Sequence, residues 1–254
     1  KNLQNFKRND LIEFVKSNYG FNNFYIVASG AIDHKKLLKL ADKYITKDLG
    51  ITKKKRDTFK KETIKNSFVY KEIQQAHLIM GRTTYGYNSK RRTELSVLGQ
   101  ILGEGSSSRL FQSVRERNGI AYQINSFLNS FYDVSTFGIY YSTNDKNVEK
   151  AQNLILNELT KLKNKKVSDR ELKRAKEYLK GSILMSLEST TNRMLRIAQS
   201  YIYFNKIKSV EETIEEINSV TKEKILELSN ELFDESKFSK SIISSKNLLL
   251  HSAA

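Results

Sequence analysis

The chain has 254 residues, which suits one or two domains, and 39% of them are hydrophobic, so a substantial core can form. It contains no cysteine, which excludes disulfides and thiolate metal sites, and it has no apolar run near the roughly 20 residues that span a bilayer. The net charge of +16 is spread along the chain and is not interleaved with aromatic residues, which favours a solvated basic surface over a nucleic-acid platform.

The N-terminal part has the pattern helix, strand, helix. Apolar residues recur at the helical period in residues 8–19, and residues 23–29 (NFYIVAS) predict a buried strand that ends at Gly30. Asp33 can then cap a second helix, and the unit ends near Leu49. Residues 50–64 are basic and poor in apolar side chains, so they predict a linker.

A second unit follows, with alternating apolar residues in its strands and helical periods between them. The predicted strands are 66–72, 75–84, 121–131, 134–143 and 238–244. The predicted helices are 90–103, 107–117, 146–164, 169–188, 191–204, 210–217 and 222–233. Tyr132-Asp133 predicts a hairpin turn, and Ser168, Ser209 and Thr221 are predicted helix caps.

This order of elements predicts an α+β fold in which a mixed or antiparallel sheet is covered by helices. The expected domains are the end of a preceding α+β domain over residues 1–49, the linker over 50–64, a C-terminal α+β domain over 65–247 and a tail over 248–254.

The three histidines, His34, His77 and His251, are too far apart in sequence to share one helical face as a zinc pair. We interpret His34 as a surface residue and His77, within an apolar strand, as a structural histidine with its hydrogen bonds satisfied. No metal site is therefore predicted in this chain.

The small-residue loop from Gly103 to Ser108 resembles a phosphate-binding loop only superficially. It lacks the Gly-Lys-Ser/Thr ending of a P-loop and follows a helix instead of a strand. We interpret it as a tight corner in which Gly105 adopts a positive φ and the serines cap the next helix. A Gly-x-Ser-x-Gly nucleophile motif is also absent from the sequence.

Residues 98–127 carry the most specific signal in the chain. They contain, in order, Ser108-Arg109-Leu110-Phe111, Val114-Arg115-Glu116, Gly119 and Tyr122. This stretch closely resembles the second domain of pitrilysin/insulinase zinc metallopeptidases. Weaker matches, such as Gln75-Ala76-His77 and Asn22-Asn23, extend the resemblance over about residues 8–245.

The resemblance implies a function that the residues alone do not establish. In this family, two related α+β domains enclose a chamber, and zinc lies in the first domain on an inverted His-x-x-Glu-His helix. The second domain supplies an arginine and a tyrosine that hold the substrate; by the motif these are Arg115 and Tyr122, with Tyr122 also assisting catalysis. From spacing alone, Arg115 could instead be an exposed helix residue and Tyr122 a core strand residue.

The chain lacks the His-x-x-Glu-His motif, so the resemblance leaves three alternatives: a fragment of a longer peptidase, a processing product, or a zinc-free subunit. The short loop disfavours the α subunit of the mitochondrial processing peptidase. The expected partners are a peptide substrate and a zinc-bearing domain or subunit, as in a dimer, with no nucleic acid and no membrane span. Zinc is expected only in the complete enzyme. The compartment is unassigned: a soluble protein of the bacterial cytoplasm or periplasm, or of an organelle matrix.

Two other hypotheses are a non-catalytic scaffold subunit, like relatives in the core of respiratory complexes, and a basic nucleic-acid module. The retained Arg115 and Tyr122 argue against a scaffold. The lack of a recognisable nucleic-acid motif argues against the module.

Overall fold

The computed structural model describes residues 3–45, 50–52, 57–60 and 63–246. Its α-helices are α1 (Arg8–Asn18), α2 (His34–Tyr44), α3 (Arg92–Leu102), α4 (Val148–Asn164), α5 (Asp169–Ser186), α6 (Thr190–Phe204), α7 (Val210–Asn218) and α8 (Lys222–Leu232). Its strands are β1 (Asn66–Tyr70), β2 (Ala76–Tyr85), β3 (Ala121–Ser130), β4 (Val134–Thr143) and β5 (Ser239–Ser244). In this part of the chain, none of the helices is long and apolar enough to cross a membrane.

The chain forms two compact units, one of residues 1–58 with 186–207 and one of residues 59–185 with 208–254. The first unit contains α1, α2 and α6. The predicted domain limits at residues 49, 64 and 247 stay predictions.

In the first unit, asparagines after α1 bind the segment at Thr52. The Asn22 side chain donates to the Thr52 carbonyl at 2.9 Å and accepts from the Thr52 backbone N–H at 3.0 Å, while Asn23 donates to the Thr52 hydroxyl at 2.7 Å. Asp33 caps α2 by accepting from the Lys36 N–H, as predicted.

The predicted strand over residues 23–29 is wrong. A single 3₁₀ turn, Phe21–Asn23, ends on the first residue of this segment, and the segment pairs with no strand in the described chain. A strand requires a hydrogen-bonded neighbour, and an apolar run in the sequence does not supply one. Phe24, Tyr25 and Ile26 are accordingly exposed.

The second unit is a five-stranded sheet with helices on one face. The strand order is β1-β5-β2-β4-β3; β1 and β5 are parallel and the other neighbours are antiparallel. The strands lie within two residues of the predicted limits, and the Tyr132-Asp133 turn joins β3 to β4, which confirms the α+β fold with a mixed sheet.

The alternation of buried and exposed residues along each strand shows which face of the sheet the helices cover. In β4, Phe137, Ile139 and Tyr141 are buried and belong to the same core as Leu98 of α3 and Ile155 of α4. Burial raises the pKa of the Tyr141 phenol. The side chains between these positions point to the opposite face, which we call the open face.

The corner after α3 brings that helix against β3. A Cβ on Gly103 would lie 2.3 Å from the backbone nitrogen of Ser126, so only glycine permits this approach. Gly105 has φ +83°, as predicted. The Ser108 hydroxyl donates to the Gly105 carbonyl at 2.7 Å, which closes the corner.

Candidate functional site

The motif stretch forms a short connection from a helix into the edge strand β3. The predicted helix over 107–117 continues as a π-helical turn, Phe111–Glu116, in which the Arg117 N–H bonds to the Gln112 carbonyl at 3.1 Å. Gly119, at φ +59°, ends the turn, and the Ile120 N–H bonds back to Val114 at 3.1 Å. Glycine tolerates this left-handed conformation, which explains its place in the motif, and π turns are frequent at functional sites.

A β-bulge turns Tyr122 outward. The β3–β4 register pairs Ala121 with Thr143 and Gln123 with Ser142, so Tyr122 is the extra residue. Strict alternation back from the buried Ile124 would place Tyr122 on the core face. With the bulge, Tyr122 is 53% exposed and Ala121 is buried instead.

Among the described residues, the hydrogen-bond partner of the Tyr122 hydroxyl is the Asn144 side-chain amide, which donates to it at 3.4 Å. A phenol that accepts one hydrogen bond keeps its own proton free to donate. Sequence reasoning did not identify Asn144, because only the β3–β4 pairing brings it beside Tyr122.

Arg115 lies in the π-helical turn with its side chain exposed. Its guanidinium carbon is 5.1 Å from the centre of the Phe111 ring, a cation–π contact that orients the side chain. Among the described residues, no carboxylate pairs with Arg115 and no hydrogen bond joins it to Tyr122. The guanidinium donors are therefore available to a ligand.

Arg109, from the same motif, has a structural role. Its guanidinium makes two parallel hydrogen bonds to Glu171 at 2.7 and 2.9 Å, and both side chains are mostly buried. A bidentate pair of this kind fixes geometry, so Arg109 holds the start of α5 against the corner.

The open face of the sheet carries no formal charge. Its positions, strand by strand, are Ser67 and Val69, then Ser239, Ser241 and Ile243, then His77, Ile79, Gly81 and Thr83, then Thr136, Gly138, Tyr140 and Ser142, and finally Gln123, Asn125, Phe127 and Asn129. None of them is Asp, Glu, Lys or Arg, although these make up 28% of the chain. Ile79, at 45% exposure, and Val69, at 51%, are apolar and solvent-accessible.

His77 lies on this open face and is exposed. Its Nδ1 is 2.8 Å from the Tyr140 hydroxyl, and the two rings stack at 6.1 Å. The residue therefore has its hydrogen-bond partner, as predicted, but at the surface. Because successive side chains of a strand point to opposite faces, His77 is exposed while the next residue, Leu78, is buried.

The described residues contain no group of three His, Asp or Glu side chains able to hold a metal ion. His34 is exposed at the start of α2, and His251 lies outside the described residues. The residues that the structure describes therefore do not fit a zinc site.

Comparison with known proteins identifies the family. Residues 5–179 match the family model described as peptidase M16 inactive domain. The chain is 30% identical over 251 residues to an uncharacterized zinc protease of Rickettsia bellii, a match that covers 98% of this chain and 60% of that protein.

Solved structures share the fold. A protease from Helicobacter pylori superposes with a TM-score of 0.84 at 22% identity, covering 95% of this chain and 60% of that one. A chain of complex III2 from Candida albicans superposes with a TM-score of 0.81 at 22% identity, with the same coverage. This chain thus spans about three-fifths of the length of these proteins.

These matches confirm the resemblance to the pitrilysin/insulinase peptidases that the motif stretch indicated. With the family model covering most of its length, the chain belongs to the peptidase M16 family, in the domain whose description calls it inactive.

Proposed function

We propose that this chain is the substrate-binding half of a zinc peptidase whose zinc is held in a region or subunit outside it. The observation that carries the proposal is the β-bulge, which turns the Tyr122 phenol away from the core and toward the open face. A bulge whose only effect was to shift the strand register could carry any residue at this position. Here it exposes a tyrosine whose hydroxyl proton is free to donate.

Tyr122 is proposed to stabilise negative charge on the carbonyl under attack. Because its oxygen accepts from Asn144, its hydroxyl proton can point at a developing oxyanion. Removing one such donor typically lowers the rate about 100- to 1000-fold.

Arg115 is proposed to hold the peptide backbone. Its guanidinium presents a fork of donors that matches peptide carbonyls, and stacking on Phe111 limits its rotamers before substrate arrives. A preoriented donor loses less entropy on binding.

The open face and the free edge of β3 supply the remaining surface. β3 is an edge strand of the sheet that the described residues form, and an extended peptide can add to such an edge through main-chain hydrogen bonds. The uncharged open face beside it favours peptide segments without charged side chains, since burying an unpaired charge there costs free energy.

The test uses the complete protein together with its zinc-bearing part and a mixed library of quenched fluorescent peptides. Tyr122→Phe is expected to lower kcat about 100-fold or more with unchanged KM, and Arg115→Ala to raise KM. Tyr178→Phe and Arg170→Ala, both at exposed positions of α5, are the matched controls. Unchanged turnover in both site variants would refute the assigned roles.

A non-catalytic scaffold is the second candidate, favoured by the likeness in fold to the complex III2 chain. It predicts a complete protein that cleaves no library peptide and co-purifies with a large assembly. In that case substitution of Tyr122 or Arg115 would leave assembly unaffected.

A further inference from the structure

A cleft of about 850 Å³ lies on the helical side of the second unit. Its walls come from the corner after α3, the π-helical turn, the end of α4 and the start of α5. Six basic side chains line it: Arg109, Arg117, Lys161, Lys165, Lys166 and Arg174. Neither Arg115 nor Tyr122 is among its lining residues, so the cleft is distinct from the residues proposed above to bind the peptide.

The two acidic residues of the lining do not neutralise this charge. Glu171 is bound by both arms of Arg109, and Glu158 pairs with Lys161 at 2.7 Å. Each carboxylate thus cancels one cation, and Arg117, Lys165, Lys166 and Arg174 remain in excess.

Two of these four cations are uncommitted. Arg117 and Lys165 make no ion pair or side-chain hydrogen bond within the described chain. Lys166 pairs with Glu223 at 2.8 Å, but both side chains are more than half exposed, and such pairs are weak. Arg174 uses one of its five N–H donors on the Ser107 carbonyl.

The chemistry of the lining selects an anion with several oxygen acceptors. Arginine binds phosphate oxygens through its planar fork, and lysine adds a compact charge. The volume exceeds what a single small ion needs and lies in the range of small-molecule sites. We propose that this cleft binds a small ligand with two adjacent phosphate groups, held between Arg117 and Lys165.

The experiment is calorimetric titration of the full chain with inorganic pyrophosphate at low ionic strength. Saturable one-to-one binding is expected. Arg117→Ala with Lys165→Ala is expected to weaken it about tenfold or more, because each removes a charge-assisted hydrogen bond. Lys71→Ala with Lys150→Ala, at exposed positions outside the lining, makes the same change in net charge and is expected to leave the affinity within about twofold.

Equal losses in the two double variants would overturn the proposal, because the overall basic field would then account for binding. Absence of saturation would also overturn it. Vesicles containing phosphatidylinositol bisphosphate and a short single-stranded oligonucleotide are titrated in parallel. Binding to either one without binding to pyrophosphate would overturn the small-ligand assignment in favour of a membrane surface or a nucleic acid.

Discussion

Glu104 lies in the corner between α3 and the π-helical turn, where burial raises the pKa of its carboxyl group. No hydrogen bond or ion pair compensates this side chain among the residues described. The folded state therefore binds the Glu104 proton more tightly than the unfolded state does. Stability falls as the pH rises through the ordinary pKa of glutamate, near 4.3, up to the raised value, and stays lower at neutral pH.

Replacing Glu104 with glutamine removes this titration. We expect Glu104→Gln to raise the free energy of unfolding near pH 7 and to have little effect near pH 3, where the wild-type carboxyl is protonated in both states. Urea unfolding at the two pH values measures this difference. Glu72→Gln, in an exposed loop, is the control, and an equal gain from it would contradict the role of burial.

At the scale of elements, the contact between α3 and β3 depends on Gly103. An added methyl group would meet the Ser126 backbone at 2.3 Å, and a backbone atom cannot move aside as a flexible side chain can. We expect Gly103→Ala to destabilise the chain by about 1–3 kcal/mol, the usual cost of overpacking.

Gly181 provides the opposite case within α5. A methyl group there would meet nothing within 4 Å, and alanine has the higher helix propensity. Gly181→Ala is therefore expected to stabilise the chain by about 0.5–1 kcal/mol. Thermal unfolding of both variants compares them directly, and destabilisation by the α5 change or neutrality of the corner change would contradict this account.

At the scale of the whole molecule, charge is distributed unevenly. The chain carries +16 overall, yet the open face of its sheet has no charged position, and the cleft among its helices has four cations in excess of its acids. Two surfaces of one unit thus suit different ligands: uncharged peptide segments on the sheet and anions among the helices.

Introducing a charge on the open face tests its role in the complete protein. Ile79 is 45% exposed, so Ile79→Lys is expected to leave stability nearly unchanged and to weaken binding of an uncharged peptide about tenfold, since the lysine must be desolvated or displaced. Leu184→Lys, 53% exposed on α5, adds the same charge elsewhere. Inhibition constants of one peptide against both variants measure the effect, and equal constants would exclude the open face as the peptide wall.

Local sequence patterns determined most of the elements. Apolar periods located the described helices and five strands, and Ser168, Ser209 and Thr221 each accept the expected N-cap hydrogen bond. Such signals are readable because they depend on neighbours within one turn or one hairpin. The motif stretch also identified the family, because the order of its residues can be recognised in a single sequence.

The tertiary structure alone determined which side chains are exposed to solvent and which of them lie close together. The segment at 23–29 has a strand-like apolar run but no neighbouring strand to pair with among the described residues, and Tyr122 faces outward only because a register shift against β4 inserts it as an extra residue. The cleft on the helical side is likewise lined by Arg117, Lys165 and Arg174, which come from separate parts of the chain. Pairing, register and convergence depend on residues distant along the chain, so local pattern cannot determine them.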